Sequence, residues 1–353
     1  MSKKRIVFVT SSLKTGGGSE RQVVSLAQLF FAASYEVTII AYYREKEEYE
    51  LPQGIAIISL SDSEKKNGQI SKIKRLRWLR QSIKKCKPDL LYTKQAPVAF
   101  MVYLSTLFLK LKIIYMCSES RKTFANAFML RHATVRIFQT PQQLVFFNRE
   151  PSSKNLVIPN MFIPRPYVQH DVNSFKRIVM VGRLEPQKNY VQAIELFKQL
   201  TAKDASLSLT IYGAGRLKAS LEALVTTLKL EKKVFFHPVT SNLLEVLSQY
   251  DVFLMTSLYE GLPNAMIEAM IVGLPVVSFD CPTGPRFLIG DHNERGILIK
   301  NVPEFLDIFM ELPKCLKQIR VAAFMAQQFV LNDLAPENIF AAHLKMLESL
   351  FND

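Results

Sequence analysis

In the segment Glu260-Gly-Leu-Pro-Asn-Ala-Met-Ile-Glu268, two glutamates lie eight residues apart around a Gly-Leu-Pro turn. The apolar run Val252-Phe-Leu-Met-Thr256 comes before it, and Gly273-Leu-Pro-Val-Val-Ser278 comes after it. This pattern predicts a strand, an acidic turn, a helix and a second strand. Eight residues span a little over two helical turns at about 3.6 residues per turn. Glu260 is therefore expected at the exit of the strand and Glu268 on the helix that follows.

Ligands of open α/β sheets bind outside the carboxyl ends of the strands, which is where this acidic turn is predicted to lie. Two fixed carboxylates there, Glu260 and Glu268, suit the hydroxyl groups of a sugar and of a ribose. The amides at the start of the helix, those of Leu262, Asn264 and Ala265, suit an anion. Hydroxyl groups and an anion together describe a nucleotide sugar.

Length and composition are those of a globular protein. The chain has 353 residues, of which 48% are hydrophobic, and this length predicts two domains. The four cysteines are scattered without a C-x-x-C pair, which argues against a disulfide framework or a structural zinc site and is typical of a reducing cytoplasm. The sequence also has no D-x-D pair and no cluster of His and Cys ligands, so we expect no metal and no other cofactor.

No segment has the pattern of a signal peptide or a membrane span. The basic N-terminal residues are followed by a short apolar run, Ile6–Val9, which is typical of a strand. The strongest apolar candidate, residues 97–109, ends at Lys110 and falls short of the roughly 20 residues that a span needs. We therefore predict a buried helix there.

The positive charge of the chain, +14 in total, is confined to its first half. Residues 1–165 hold 27 Lys and Arg against 11 Asp and Glu, a net +16, whereas residues 166–353 hold 18 against 20, a net −2. Such asymmetry points to an anionic partner for one domain only.

Strand-like and helix-like segments alternate in both halves, which implies parallel βαβ units. In the first half, strands are predicted at 5–10, 36–42, 55–60, 90–93, 112–117, 136–139 and 156–158. In the second half, they are predicted at 177–181, 208–212, 234–237, 252–255, 276–279 and 296–299, with terminal helices at 312–331 and 336–351. We therefore expect an α/β protein with two Rossmann-like domains, 1–165 and 166–335, that face each other across a cleft.

Five segments of the chain resemble those of the family-4 retaining glycosyltransferases, which have the GT-B fold. They are the acidic turn at 260–268, Val181-Gly-Arg-Leu-Glu-Pro-Gln-Lys-Asn189, Thr10-Ser-Ser-Leu-Lys-Thr-Gly-Gly-Gly-Ser-Glu20, Ile211-Tyr-Gly-Ala-Gly215 and Val157-Ile-Pro-Asn160. The resemblance covers most of the chain. It implies transfer of a sugar from a nucleotide sugar, most often a UDP-sugar, to give an α linkage without a metal. It also implies that the last helix, 336–353, packs back towards the N-terminal domain.

Arg183 and Lys188 follow the first predicted strand of the second half, where two cations suit the diphosphate of a nucleotide sugar. Departure of that diphosphate places negative charge on it, which fixed cations stabilise. In isolation the two residues would be read as solvated surface cations. Together with the flanking Gly182 and the spacing of the family, they are predicted to act on the donor.

The resemblance also gives roles to the glutamates. Glu268 would bind the ribose hydroxyls and Glu260 the hydroxyls of the transferred sugar, and neither would be a covalent nucleophile. Relatives are thought to use front-face attack, in which the donor phosphate helps to deprotonate the acceptor. Either glutamate alone would be read as a surface residue. The spacing around Gly261, Pro263 and Asn264 makes the pair specific.

Three further segments are weaker signals. Gly17 and Gly18 end a run of three glycines before a predicted helix, and the resemblance implies that this loop closes over the donor phosphates. Gly213 and Gly215 are read equally well as a tight strand-to-helix turn or as a donor contact. His237 lies where the family reads the base through backbone groups, and it is also the end of a predicted strand.

The predicted catalytic residues are thus Glu260, Arg183, Lys188 and Glu119, and the predicted donor-binding residues are Gly17, Gly18, Gly182, Gly213, Gly215, His237, Gly261, Leu262, Pro263, Asn264 and Glu268. Glu119 is a departure, because many relatives carry a histidine after the strand at 112–117 and this chain has Ser118-Glu119-Ser120-Arg121. Two interpretations stay open. Glu119 orients the acceptor or stabilises the developing oxocarbenium ion, or it pairs with Arg121 or Lys122.

Residues 65–87 form a basic segment with ten Lys and Arg and no acidic residue. A basic amphipathic helix with a tryptophan suits an anionic membrane surface. The predicted membrane-facing residues are Lys72, Lys74, Arg75, Arg77, Trp78, Arg80 and Lys84. The alternative is an ordinary Rossmann helix whose apolar stripe is core and whose cations lie in water. No nucleic-acid-binding motif accompanies the charge, so nucleic acid is not expected.

The resemblance, together with the basic first half, implies a cytoplasmic glycosyltransferase bound peripherally to the inner face of the cell membrane. The resemblance implies that it transfers a hexosyl or N-acetylhexosaminyl group to a lipid-linked or other glycan acceptor, such as a polyprenyl-diphosphate-linked glycan, in surface polysaccharide synthesis. Two alternatives stay open, a nucleotide-sugar epimerase of the same architecture and a transferase-like partner subunit without catalysis. The sequence indicates no oligomeric state.

Overall fold

A computed structural model describes residues 3–15, 18–62, 70–118, 120–163, 167, 169–238, 240 and 242–352. The chain divides into two compact units. The first comprises residues 1–161 and 339–353, and the second comprises residues 162–338. The sequence placed the corresponding divisions at 165/166 and 335/336, so the two sets of boundaries differ by three or four residues.

The first unit is built on a seven-stranded parallel sheet with the order β3-β2-β1-β4-β5-β6-β7. Its strands are β1 (Arg5–Thr10), β2 (Glu36–Tyr43), β3 (Ala56–Ser61), β4 (Leu90–Thr93), β5 (Lys112–Met116), β6 (Val135–Phe138) and β7 (Asn155–Val157). The central strands are buried on both faces because helices cover the sheet, which is why they read as continuous apolar runs.

Five helices connect these strands: α1 (Gly18–Ala32), α2 (Lys72–Cys86), α3 (Ala96–Thr106), α4 (Phe124–His132) and α5 (Pro141–Phe146). The sequence predicted α1, α2 and α3 but neither α4 nor α5. Each of these two begins after a threonine, Thr123 or Thr140, whose hydroxyl accepts a hydrogen bond from a first-turn amide. Both helices are short, at nine and six residues, so they carry little periodicity for a sequence pattern to reveal.

The second unit is built on a six-stranded parallel sheet with the order β10-β9-β8-β11-β12-β13. Its strands are β8 (Arg177–Val181), β9 (Ser208–Tyr212), β10 (Val234–His237), β11 (Val252–Met255), β12 (Val276–Phe279) and β13 (Ile297–Ile299). Both sheets reverse their strand order beside the first strand of the unit, at β1/β4 and at β8/β11. Loops at such a reversal form a crevice at the carboxyl edge, where α/β sheets bind ligands.

The helices of the second unit are α6 (Tyr190–Lys203), α7 (Lys218–Thr227), α8 (Leu243–Leu247), α9 (Asn264–Ile271), α10 (Gly284–Ile289), α11 (Val302–Glu311) and α12 (Leu316–Asp333), with 3-10 turns at Pro186–Lys188 and Leu312–Cys315. The prediction of one helix from 312 to 331 was wrong at its start. A 3-10 turn that contains Pro313 occupies residues 312–315, and α12 begins only at Leu316. Proline lacks the amide that an α-helix interior needs.

The last helix, α13 (Pro336–Asn352), packs on the first unit from residue 339 onwards. Ile339, Met346 and Leu347 are buried in the core formed by one face of the first sheet and α1. His343 lies in the same core, with its Nδ1 atom 3.3 Å from the hydroxyl of Tyr92 on β4. The first unit therefore closes its core with residues that lie about 180 positions further along the chain.

Candidate functional site

The loops that follow β8 and β11 are fastened together at the carboxyl edge of the second sheet. The amide of Leu258 donates to the carbonyl of Gln187 at 2.8 Å, and the Gln187 side chain donates to the carbonyl of Tyr259 at 2.8 Å. The hydroxyl of Thr256 donates to the carbonyl of Lys188 at 3.0 Å. These bonds fix the loop with the predicted cations against the acidic turn.

Lys188 and Glu260 form an ion pair between these two loops. The Nζ atom of Lys188 lies 2.6 Å from Oε1 of Glu260, and the two side chains are 16% and 8% exposed. Removing two charges from water is costly, so an ion pair of this kind is weak evidence for stability. Ionisable groups in such an environment are concentrated at functional sites. Arg183 lies on the same loop as Lys188, is exposed, and donates to the side-chain oxygen of Gln187 at 3.2 Å.

The glycines of this edge allow two backbone segments, 182–184 and 213–215, and the side chain of Lys188 to approach closely. A Cβ atom on Gly213 would lie 2.0 Å from the carbonyl oxygen of Gly182, and one on Gly215 would lie 2.5 Å from that of Leu184. A Cβ on Gly182 would lie 2.9 Å from Cε of Lys188. The contacts of Gly213 and Gly215 with the protein itself support their interpretation as a tight strand-to-helix turn.

The acidic turn lies between β11 and α9, in the order predicted from the sequence. Pro263 precedes α9, and its carbonyl accepts the amides of Met266 and Ile267, the first donors inside the helix. The amides of Asn264 and Ala265 come before those donors, as the first amides of a helix always do. They are therefore the groups of this helix that are able to face an anion.

The other members of the predicted donor set are largely enclosed. Glu268 lies in α9 and is 7% exposed. Leu262 belongs to the hydrophobic core of the unit. The backbone of Gly261 lies close to Gly284, since a Cβ atom on Gly284 would lie 2.2 Å from the carbonyl oxygen of Gly261. Glu268 is thus held in place by packing rather than free on the surface.

His237 ends β10 with its ring exposed and stacked on Tyr212, with 5.1 Å between ring centroids. Its carbonyl accepts the amide of Gly213 at 2.9 Å. Burial, followed by a hydrogen bond with Tyr250, raises the pKa of Tyr212 to about 12, so its phenol stays protonated. This flat aromatic surface lies next to the glycine turn.

Thr283 is a residue of this edge that the sequence did not single out. Its hydroxyl donates to the carbonyl of Glu260 at 2.5 Å, and its φ of 87° lies in a region that non-glycine residues rarely adopt. Observed strain of this kind is concentrated at functional sites. Cys281 lies nearby, and burial, with Glu260 as the next contribution, raises its pKa to about 12, so it is a thiol and not a nucleophile.

In the first unit, Gly17 and Glu119 lie outside the described residues, so both assignments stay predictions. Gly18 is the first residue of α1. The basic segment forms α2, whose apolar residues Leu79 and Ile83 are buried in the core. The interpretation of the stripe as core is therefore confirmed for these two residues, whereas Ile73 at the start of the helix is exposed.

The predicted membrane-facing residues of α2 fall into two groups. Four are exposed cations, which we call the α2 cations: Lys72, Lys74, Arg77 and Lys84. The other three contact the protein itself. Trp78 is half-buried with its ring 6.4 Å from that of Tyr42, Arg75 donates to the carbonyl of Ile70, and Arg80 donates to the carbonyls of Ser105 and Leu107 at the end of α3.

Among the described residues, no helix is long and apolar enough to cross a membrane. Over the same part of the chain, no group of three or more His, Cys, Asp or Glu could hold a metal ion.

Residues 169–307 match the sequence model of the family described as "Glycosyl transferases group 1". An uncharacterized glycosyltransferase of Methanocaldococcus jannaschii is 31% identical over 179 residues, which are 47% of this chain and 44% of that protein, so this match spans less than half of either. The "Amylovoran biosynthesis glycosyltransferase AmsD" of Erwinia amylovora is 24% identical over 81% of this chain and 84% of its own length. A Campylobacter jejuni protein named "GalNAc-alpha-(1->4)-GalNAc-alpha-(1->3)-diNAcBac-PP-undecaprenol alpha-1,4-N-acetyl-D-galactosaminyltransferase" is 24% identical over 84% of both chains.

Solved structures share the whole fold. A mutant of TarM from S. aureus, in complex with fondaparinux, alpha-GlcNAc-glycerol and UDP, superposes with a TM-score of 0.81 over 98% of this chain and 99% of that chain, at 16% identity. HepE from Anabaena, in complex with UDP and glucose, gives a TM-score of 0.75 over 98% and 100%, also at 16% identity. The predicted fold class, a GT-B protein with two Rossmann-like parallel sheets, is confirmed.

Proposed function

We propose that the protein is a retaining glycosyltransferase, since residues 169–307 match the sequence model of the glycosyl transferases group 1 family. It moves a sugar from a nucleotide sugar to a lipid-linked glycan in polysaccharide synthesis. The observation that carries this proposal is the 2.6 Å ion pair of Lys188 and Glu260 at the carboxyl edge of the second sheet. A cation and a carboxylate side by side match the two partners of the bond to be broken, a diphosphate and a sugar.

In this proposal, the diphosphate lies against Lys188, Arg183 and the first amides of α9. When the bond between the anomeric carbon and the phosphate oxygen breaks, its electron pair stays on that oxygen. The half-buried ammonium of Lys188 stabilises this charge more strongly than it would in water, because the low dielectric screens it less. These cations take the place that a metal ion has in other transferases, so the proposed reaction needs none.

The sugar and the ribose are held by the two glutamates. Glu260 accepts hydrogen bonds from hydroxyls of the transferred sugar, and its contact with Lys188 fixes the direction in which its carboxylate points. Glu268, enclosed in α9, accepts the ribose hydroxyls. The related structures from S. aureus and Anabaena contain UDP, which supports a UDP-sugar as the donor.

The acceptor is proposed to bind the first unit. The Campylobacter relative is named for a substrate built on PP-undecaprenol, which supports an acceptor with a lipid diphosphate. The net charge of +16 in residues 1–165 and the exposed α2 cations support attraction to such an anion and to an anionic membrane surface. The protein would then bind peripherally to the inner face of the cell membrane.

The test is release of nucleotide from a panel of nucleotide sugars, with and without a membrane lipid extract. The variants are Lys188→Ala and Glu268→Ala, and their matched controls are Lys198→Ala and Glu195→Ala, which change exposed residues of α6 in the same unit. We expect release from one donor, stimulated by lipid, that falls about a hundredfold or more in Lys188→Ala, as when one group that stabilises a leaving charge is lost. The two controls should leave it unchanged.

Other outcomes would point to the alternatives. Donor binding that is lost in Glu268→Ala, without release in any mixture, would favour the non-catalytic partner subunit. Conversion of one nucleotide sugar to another without acceptor would favour the epimerase. Release that is unchanged in Lys188→Ala would refute the role assigned to the ion pair.

A further inference from the structure

A polar network, half-buried where it starts, joins the loops at the carboxyl edge of the first sheet. After β1, the amide of Ser11 donates to Oε1 of Gln95, which follows β4, at 3.1 Å. The amide group of Gln95 in turn donates to Oε1 of Glu20 on α1 at 2.8 Å. After β5, the hydroxyl of Ser118 donates to the carbonyl of Lys94 at 3.5 Å. Four elements are linked through two neighbouring residues.

Lys94 continues this network to the loops after β6 and β7. Its ammonium group donates to Oδ1 of Asn160 at 2.8 Å, and Nε2 of Gln139 donates to the same oxygen at 2.9 Å. Lys94 is 2% exposed, and Asn160 and Gln139 are 4% exposed. One lysine therefore stands at the centre of an edge where strands β1, β4, β5, β6 and β7 all end.

The charge of this lysine is not balanced by a direct partner. Among the described residues, no carboxylate forms an ion pair with Lys94, and Glu20, the nearest favourable charge, already accepts from Gln95. Two polar atoms of the same edge, Oε1 of Gln139 and Oγ1 of Thr93, are buried with no hydrogen-bond partner in that part of the chain. Unpaired buried charges and polar atoms destabilise a fold, so they are retained where a ligand completes them.

We infer that Lys94 is a positioning residue for the acceptor, a role that rests on the proposed transferase function. Through Asn160 its ammonium group holds the loops after β6 and β7 in place. As the buried cation of this edge, it supplies the positive potential that attracts the phosphate or diphosphate ester of the acceptor. Lys94 acts through the loops and through its field, whereas the chemistry at the anomeric carbon belongs to the second sheet.

This role makes acceptor binding depend on pH. Burial lowers the pKa of Lys94 from 10.5 to about 7, against the smaller opposing effects of Glu20 and Cys117. Among the described residues, His343 of α13 also faces Lys94, and it stays neutral between pH 6 and pH 8. The charged fraction of Lys94 thus falls from about nine-tenths at pH 6 to about one-tenth at pH 8, so its contribution to anion affinity falls up to about tenfold.

The experiment measures binding of farnesyl diphosphate in detergent micelles at pH 6, 7 and 8, with saturating UDP to occupy the donor site. Asn160→Asp puts a carboxylate where Oδ1 of Asn160 now lies, 2.8 Å from the ammonium of Lys94, which balances its charge at every pH. We expect wild-type protein to bind about tenfold more tightly than Asn160→Asp at pH 6 and equally at pH 8. Ionisation of the ligand affects both proteins alike, so their ratio isolates Lys94.

Lys94→Met should behave like Asn160→Asp, and fluorescence of Trp78 in the same unit checks that it is folded. Tyr92→Phe is the matched control, because it removes a buried hydroxyl that contacts His343, the histidine facing Lys94, and leaves the charge of Lys94. Farnesol, which has no diphosphate, should bind wild-type and Asn160→Asp protein equally at each pH. Binding of inorganic pyrophosphate shows whether the phosphate is recognised without its lipid. A ratio that is the same at pH 6 and pH 8 would overturn the inference. Because this experiment measures binding, its outcome is independent of the outcome of the nucleotide-release assay.

Discussion

His343 should make the first unit sensitive to acid. Its ring is 1% exposed in the core that α13 completes, and its Nδ1 atom lies 3.3 Å from the hydroxyl of Tyr92. Burial, and then the ammonium of Lys94, lower the pKa of His343 from 6.5 to about 3. The folded protein therefore keeps this histidine neutral down to about pH 3, whereas the unfolded chain protonates it near pH 6.5.

The sign and the size of the effect follow from this difference. Below pH 6.5 the unfolded state binds a proton that the folded state does not, so the free energy of unfolding falls as the pH falls. Each pH unit in this window is worth about 1.4 kcal/mol, so His343 alone should lower the free energy of unfolding by about 2 kcal/mol at pH 5. Above pH 6.5 its contribution is constant.

Urea unfolding at pH 7 and pH 5 measures this loss, and the only tryptophan of the chain, Trp78, reports on the first unit. His343→Gln removes the titrating group and keeps an amide near Tyr92. We expect this variant to lose about 2 kcal/mol less than wild type between the two pH values. His292→Gln, which changes an exposed histidine of the second unit, is the control. An equal loss in wild type and His343→Gln would refute the reasoning.

Two further predictions concern the glycine turn and the basic helix. Gly213→Ala adds a Cβ that would lie 2.0 Å from the Gly182 carbonyl oxygen, so it should lower the free energy of unfolding of the second unit by about 1–3 kcal/mol. Urea unfolding followed by circular dichroism tests this, with Ala214→Ser as an exposed control; an unchanged midpoint would contradict it. Replacing the four α2 cations by glutamine should weaken binding to anionic vesicles by about 4 kcal/mol, roughly a thousandfold. Flotation measures this, and an equal affinity of both proteins would show that α2 does not face the membrane.

The sheets could be predicted from the sequence because their central strands are buried on both faces. Strands β8, β9 and β11 occupy the residues that the apolar runs predict, since a strand between two layers of helices has almost no polar positions. The edge strand β10 also occupies its predicted residues, although Phe235 and His237 on it are exposed. The remaining differences between predicted and observed strands lie at strand ends. Strand β13, for example, begins at Ile297 rather than at Gly296, whose backbone adopts a φ of 155°.

The candidate site was predictable in its residue types but not in its contacts. Lys188 and Glu260 are 72 positions apart, and only the neighbouring positions of β8 and β11 in the sheet bring their loops together. Thr283 is a further case, because Cys281-Pro-Thr-Gly-Pro285 indicates a turn but not which carbonyl its hydroxyl binds. Contacts between loops depend on strand order, which the spacing of residues along the chain does not contain.

The sequence left two interpretations of the basic helix, a membrane-facing helix and an ordinary Rossmann helix, and each describes part of it. Leu79 and Ile83 point into the core, as an ordinary Rossmann helix requires, whereas Ile73 is 64% exposed among the α2 cations. Trp78, which favoured a membrane helix in the sequence, packs against Tyr42 instead. Helical periodicity gives the direction of each side chain only relative to its neighbours, and the position of the core fixes which face is which.

The two carboxyl edges differ in how the charge of a lysine is balanced, and the contrast supports different roles for the two sheets in the proposed reaction. On the second sheet, the half-buried Lys188 is paired with the carboxylate of Glu260, so its charge is balanced before any ligand binds. On the first sheet, the buried Lys94 donates to the neutral amide of Asn160, and no carboxylate of the described residues forms an ion pair with it. A balanced pair can bind a ligand that is both anionic and rich in hydroxyls with little change in net charge. An unbalanced cation gains most from an anion that brings the missing charge. The first edge is therefore the better place for a phosphate-bearing acceptor, and the second for a nucleotide sugar.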